Sequence, residues 1–203
     1  MAITGVVLFG YVLGHMAGNL QVFLGPEAIN AYGKFLHEFL HGTGIWIVRV
    51  VLSASVVLHV GAAWSLTATS VRARPVGYKL VARRESTYAS RTMRWGGPLI
   101  LLFLVYHLLD LTIGRANPGF VPGDVYRNLV AGFQRPVVAA FYIVAMLALA
   151  LHLQHGVWSM LQTLGASHPR YDAWRKRAAT AFAVVVCGGF IAVPLAILAG
   201  VVR

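Results

Sequence analysis

His15, His59, His107 and His152 each stand inside a long apolar stretch, and His155 follows the last of them by three residues. Ionisable side chains in such stretches are rare and mark functional positions by default. One isolated imidazole is as often bonded to a neighbouring helix as it is a ligand. Four stretches that each carry a deep histidine are harder to ascribe to packing, which has no reason to repeat the choice. Imidazole at that depth can bind a metal or pass a proton. Thiolate chemistry is excluded, because the chain has a single cysteine, Cys187. It can form no internal disulfide, no four-thiolate zinc or iron–sulfur site and no Cys-x-x-Cys-His haem attachment.

The elements that must position these histidines follow from composition. Of 203 residues, 58% are hydrophobic and only 11% charged, and the mean hydropathy is +0.71. A water-soluble surface cannot be covered with so little polar material. The net charge is nevertheless +11, from 17 Lys+Arg against 6 Asp+Glu. A nucleic-acid binder would be charge-rich throughout; a charge-poor, sign-biased chain is a membrane protein with basic loops. Apolar runs of about 20 residues predict five spans, at 2–24, 45–69, 95–114, 137–163 and 178–202. They form one all-α domain over residues 1–203, with no internal repeat. Span one lacks a basic start and a cleavage site, so it reads as a retained helix rather than a signal peptide.

Charge assigns the orientation. Arg72, Arg74, Lys79, Arg83, Arg84, Arg91 and Arg94 lie between spans two and three, and Arg170, Arg175, Lys176 and Arg177 between spans four and five. The loops on the other side carry only Lys34, Arg115, Arg127 and Arg135. The positive-inside rule then puts the N-terminus in the cytoplasm and the C-terminus outside.

Depth pairs the histidines. At about 1.5 Å per residue, His15 is about 18 Å into its helix, His59 about 21 Å, His107 about 20 Å past Arg94, and His152 about 22 Å past Val137. Each has passed the midplane of a core about 30 Å thick. Because the helices alternate in direction, His15 and His107 share a level in the outer half, and His59 and His152 share one in the inner half. Two pairs at two levels of a four-helix bundle suit two bis-histidine haems. Zinc would want three or four ligands at one depth. Gly10, Gly14 and Gly18 on span one, and Gly61, Ala62 and Ala63 after His59, leave room for a porphyrin. Close helix packing explains them about equally well.

The chain resembles the di-haem cytochrome b subunit of bacterial succinate dehydrogenase and fumarate reductase, the single-polypeptide, five-helix membrane anchor. Six stretches carry the resemblance: Gly-His-Met-Ala-Gly-Asn-Leu at 14–20, Pro-Glu-Ala-Ile-Asn-Ala-Tyr at 26–32, Leu-His at 58–59, Tyr-Ala-Ser-Arg-Thr-Met at 88–93, Val-Tyr-His-Leu at 105–108, and Phe-Tyr-Ile-Val at 141–144 continued by His-Leu-Gln-His-Gly-Val-Trp-Ser-Met at 152–160. It spans nearly the whole chain and is most specific over 141–165. The resemblance implies four axial ligands, His15 with His107 on the outer haem b and His59 with His152 on the inner one, and so selects His152 over His155. His155 often corresponds to a non-histidine in relatives; three residues past His152, it reads as a propionate-side or outer-shell group, with plain packing as the equal alternative. Arg94 matches an arginine before the third family helix, which makes Arg91 and Arg94 candidate propionate partners, against ordinary loop charge. Glu38, flanked by His37 and His41, is the quinone-site candidate by the same resemblance, against an exposed loop carboxylate. Asp110 is a weaker candidate of that kind, and His168 is expected to be solvated.

What the resemblance implies is an anchor in the bacterial inner membrane, placed in the respiratory chain and the tricarboxylic acid cycle. Electrons would come from a flavoprotein and an iron–sulfur subunit docked on the basic cytoplasmic face and pass through two non-covalent haems to menaquinone. No glycine-rich dinucleotide motif or cysteine cluster is present, so succinate chemistry belongs to the partners. The loop from Arg72 to Arg94 is the expected docking surface, although anionic lipid would suit it too. A cytochrome b anchor of a hydrogenase or formate dehydrogenase keeps the same haems. A haem-free transporter, with histidines that carry protons or only pack, is the reading from a different class. Relatives usually carry a cytoplasmic stretch before the first helix, whereas the apolar run here begins almost at Met1. A trimmed start, or loss of that stretch's subunit contacts, would explain it.

Overall fold

The computed structural model describes residues 1–73 and 87–203, and every described regular element is helical. Helix α1 covers Ala2–Asn19 and runs on as a 3-10 turn, Leu20–Leu24. Its apolar, charge-free sequence has every backbone bond satisfied within the helix, the condition for crossing lipid. Gly25, at φ 99°, breaks the run where an L side chain would be strained. Helix α2, Pro26–Glu38, then starts with proline at its first turn and Glu27 beside it. Both favour a helix N-terminus, the first by its fixed φ and the second by the helix dipole.

Leu40, His41 and Gly42 adopt φ of 52°, 54° and 82°, reversing the chain into helix α3, Thr43–Arg72. Helix α4, Tyr88–His107, is capped by Thr87, whose hydroxyl accepts from the Ser90 N–H. Beyond His107 it widens into a π-helical turn, Leu108–Thr112, that carries Asp110 to the interior. Such turns cluster at functional positions. Asp124 caps helix α5, Val125–Phe133; helix α6 covers Pro136–Thr163, and helix α7 covers Asp172–Leu198 after a 3-10 turn, Pro169–Tyr171. Five of these helices are long and apolar enough to cross a membrane, Ala2–Leu24, Thr43–Arg72, Tyr88–Thr112, Pro136–Thr163 and Pro169–Leu198.

Two departures from the sequence expectation stand out. Helices α2 and α5 were expected as loop; they pack on each other and close one end of the bundle. Asn30 of α2 donates to the Asp124 carboxylate at 3.0 Å and accepts from the Tyr126 N–H at 3.0 Å. The helices at the other end start earlier than expected, so Arg91 and Arg94 stand on α4 and Arg175, Lys176 and Arg177 on α7. Arg74, Lys79, Arg83 and Arg84 lie outside the described residues.

Packing decides where the bundle stays open. α6 and α7 press together along their length, with α1 against both. Ala139, Ala145, Ala179 and Ala183 are 0–3% exposed and let these backbones approach. One buried cluster gathers Val22, Leu129, Phe133 and Tyr142 near the capped end, and another gathers Met16, Met146, Leu153 and Val186 deeper down. α3 packs on α1 and α2, and α4 on α6. Along the resulting arc α3–α1–α6–α4, the ends α3 and α4 make no extensive backbone contact among the described residues, and neither do the two diagonals across the arc, α1–α4 and α3–α6.

Candidate functional site

The histidines bridge those two diagonals. His15 on α1 faces His107 on α4, with ring centroids 5.8 Å apart and planes at 82°. His59 on α3 faces His152 on α6 at 6.3 Å and 58°. These are the pairs that share a depth along the alternating helices. All four rings are half-buried, which suits groups that line an interior space rather than a packed core. No three His, Cys, Asp or Glu side chains converge on a metal-sized site among the described residues. The arrangement is two by two.

Hydrogen bonds fix which ring nitrogen is available. Thr4 Oγ1 donates to the Met1 carbonyl at 2.8 Å, so its lone pairs are what it offers to His59 Nδ1 at 3.1 Å. His59 Nδ1 must therefore carry the hydrogen, leaving the Nε2 lone pair free. At the other level, the Tyr142 hydroxyl donates to Asp110 Oδ2 at 3.0 Å and lies 3.4 Å from His107 Nδ1. The same reasoning gives His107 the same tautomer. His152 Nδ1 is buried with no hydrogen-bond partner, which leaves the ring ready for one. His15 stacks on Tyr11, one turn earlier, at 5.3 Å and 10°, and touches Phe190 at 5.7 Å.

The glycines divide between the two expected roles. A Cβ at Gly18 would meet the Tyr32 ring at 2.6 Å, so Gly18 serves close packing of α1 on α2. Gly10, Gly14 and Gly61 face open space, with no heavy atom within 4 Å of an added Cβ. A hollow of about 190 Å³ beside His152 is lined by Thr92, Met93, Trp95, Gly96, Leu99, Ala148 and Leu151. The donor set, the orphaned imidazole nitrogen and the open glycine faces fit a flat, iron-bearing macrocycle at each pair.

The remaining candidates are more dispersed. Arg91 and Arg94 are exposed on the first turns of α4, flanking that hollow in sequence, and the Arg91 guanidinium lies 5.8 Å over the Tyr88 ring. His155 is half-buried and tilts against Trp158 at 6.0 Å. Glu38 ends α2, exposed, 3.7 Å from Lys34 across one helical turn, and with Ala31, Phe35 and Phe39 it borders a shallow groove. His37 bonds the Gly33 carbonyl at 2.8 Å, and His41 stands in the left-handed turn. Arg175, expected on a basic loop surface, is instead buried. It donates to the Ala166 carbonyl and to Asp172, both at 2.8 Å. A helix that starts six residues earlier than its apolar run turns this arginine inward.

Comparison with known proteins gives the family. The family model described as succinate dehydrogenase/fumarate reductase transmembrane subunit matches residues 71–192. The chain belongs to that family. The match includes His107 and His152, while His15 and His59 precede it. The chain is also similar to the succinate dehydrogenase cytochrome b558 subunit of Bacillus subtilis (strain 168), 23% identical over 167 residues, 81% of this chain and 77% of that one. No solved structure matches. As a member of the succinate dehydrogenase/fumarate reductase membrane-subunit family, the chain is an all-helical, multi-pass anchor.

Proposed function

We propose that this chain is the membrane anchor and electron-transfer subunit of a succinate:quinone oxidoreductase, holding two b-type haems between its histidine pairs. The observation that carries the reading is the opposition of His15 to His107 and of His59 to His152 across the open diagonals of the bundle. Family membership supplies the complex in which such pairs would work. Bound haem supplies a one-electron carrier at each level. The chain's own residues do the rest. His15 with His107, and His59 with His152, would hold a haem at each level, and the Thr4 and Tyr142 oxygens fix the tautomers of His59 and His107. Apolar helices exclude water, which keeps each carrier in a low dielectric.

In this reading the N-terminus and the basic end face the cytoplasm of a bacterial inner membrane, where flavoprotein and iron–sulfur subunits dock. Arg91 and Arg94 flank in sequence the residues that line the hollow beside His152 and would pair with propionates there, while His155 follows His152 by three residues on the same helix. The opposite, capped end carries Glu38 in a groove with Phe35 and Phe39, suited to proton exchange with menaquinone. Purification of tagged chain from its native membranes tests the assignment. We expect the flavoprotein and iron–sulfur subunits to accompany it, and succinate to reduce the b-type spectrum of the complex. A chain that purifies with partners of another dehydrogenase, or a spectrum that ignores succinate, contradicts it.

A further inference from the structure

The buried acid of the capped end has a more definite task than its sequence position gave it. Asp110 is 0% exposed, one turn beyond His107 on the π-helical turn. A lone carboxylate at that depth would be costly, but Oδ1 accepts from Arg135 Nη2 at 2.8 Å. Arg135 is itself anchored through Nη1 to the Ala116 carbonyl at 3.0 Å and through Nε to the Gly132 carbonyl at 3.3 Å. The carboxylate is therefore held by a clamp that spans the π-helical turn, the following loop and the end of α5. Its second oxygen, Oδ2, accepts the Tyr142 hydroxyl at 3.0 Å. That hydroxyl has one hydrogen, and Asp110 receives it. Towards His107 Nδ1, 3.4 Å away, the phenol oxygen can only accept. Phe103 and Phe133 stand edge-on to the Tyr142 ring at 5.0 and 4.8 Å and keep it from swinging aside.

We propose that Tyr142, oriented by the Asp110–Arg135 ion pair, is a positioning residue that holds His107 in the tautomer with Nδ1–H and a free Nε2 lone pair. The inference rests on the haem reading above. An imidazole whose Nδ1–H leans on an oxygen is a more electron-donating ligand. A carboxylate behind that oxygen strengthens the effect along the chain of hydrogen bonds. Ferric iron gains more than ferrous from such a ligand, so the network lowers the midpoint potential at the His15–His107 pair. The His59–His152 pair, whose oxygen partner is the Thr4 hydroxyl without a carboxylate behind it, lacks this feature.

Tyr142→Phe in the intact complex tests the assignment, because it keeps the ring packing and deletes only the oxygen. The readout is a spectroscopically monitored redox titration beside the haem-to-protein ratio. One of two components should shift to higher potential. A tenfold loss of ferric preference, the low end for removing an outer-shell partner, corresponds to about 59 mV for one electron. The other component should stay in place. Asp110→Asn, which keeps the side-chain size and an acceptor for the phenol, should shift the same component in the same direction by less, and it decides the matter should Tyr142→Phe lose haem. Unshifted potentials in the haem-bearing variants overturn the proposal while leaving the haem reading intact. A wild-type complex with no haem removes that reading and this one together.

Discussion

Replacing His15 by alanine separates the two histidine levels at the scale of a single side chain. The His15–His107 pair loses one imidazole, while His59 and His152 stay opposed at 6.3 Å. The expected outcome is one spectral component lost and the haem-to-protein ratio halved, read from reduced-minus-oxidised difference spectra. Loss of both components together would show that the pairs are not independent sites. Thr4→Val removes the hydroxyl from His59 Nδ1 at nearly constant volume. Outer-shell partners of ligating histidines are worth about 10- to 100-fold in affinity. The variant should therefore lose haem from the His59 level first on dilution into detergent, with unchanged retention as the contrary result. The histidines themselves were legible in the sequence, because an imidazole in an apolar run stands out and the helical rise converts its position into depth. Thr4 and Tyr142 were not. Their partners are 55 and 35 residues away, and a threonine at a helix start or a tyrosine in an apolar run carries no signal of its own.

Among the elements, the cap of α2 and α5 was missed for a physical reason. A search for spans looks for about 20 apolar residues, whereas α2 has 13 residues and α5 has 9, each with one apolar face. Pro26 with Glu27, and Asp124 before Val125, are helix-start signals that mark both in retrospect. Asp124 joins the two helices, accepting from the Arg127 N–H and from Asn30, both at 3.0 Å. The hydrogen bond from the Arg127 backbone, followed by that from Asn30, holds the carboxyl below the usual carboxylate range. A group depressed in this way stabilises the folded state above its unfolded value, and that contribution is lost as pH falls through the folded one. Amide exchange in α5 should accelerate on acidification through that range, and Asp124→Asn should flatten the dependence. A pH-independent exchange rate in the wild-type chain would contradict the assignment. The glycine faces give a second contrast. Gly18→Ala forces a methyl to within 2.6 Å of the Tyr32 ring and should destabilise the fold by about 1–3 kcal/mol. Gly10→Ala meets open space and should be neutral or gain up to about 1 kcal/mol of helix propensity. Thermal unfolding of the two variants in detergent distinguishes them, and equal losses would show that Gly10 is also a packing position.

At the scale of the whole molecule, the opening contrast between apolar mass and positive charge resolves into a division of labour. α6 packs closely on both α7 and α4, with α1 joining this body to α3, while α1 stays apart from α4 and α3 from α6 along the diagonals that the histidines bridge. Trp46, Val57, Trp64 and Trp95 are 62–82% exposed, the outward apolar surface of a protein solvated by lipid rather than water. Basic residues gather at the end opposite the cap. Arg175 shows that one of them is an internal clamp, where a count of charges would have put it on the surface. Fold class and span number were legible because lipid imposes length and hydropathy on each crossing. The diagonals were not, since which helices touch depends on where small residues such as Ala139, Ala145 and Ala183 meet. The central claim is that this bundle holds one haem on each diagonal. The most direct measurement is the haem-to-protein ratio of the purified complex with its reduced-minus-oxidised spectrum. The account predicts about two b-type haems per chain, in line with two bis-histidine pairs; a ratio of one, or no Soret absorption, would contradict it.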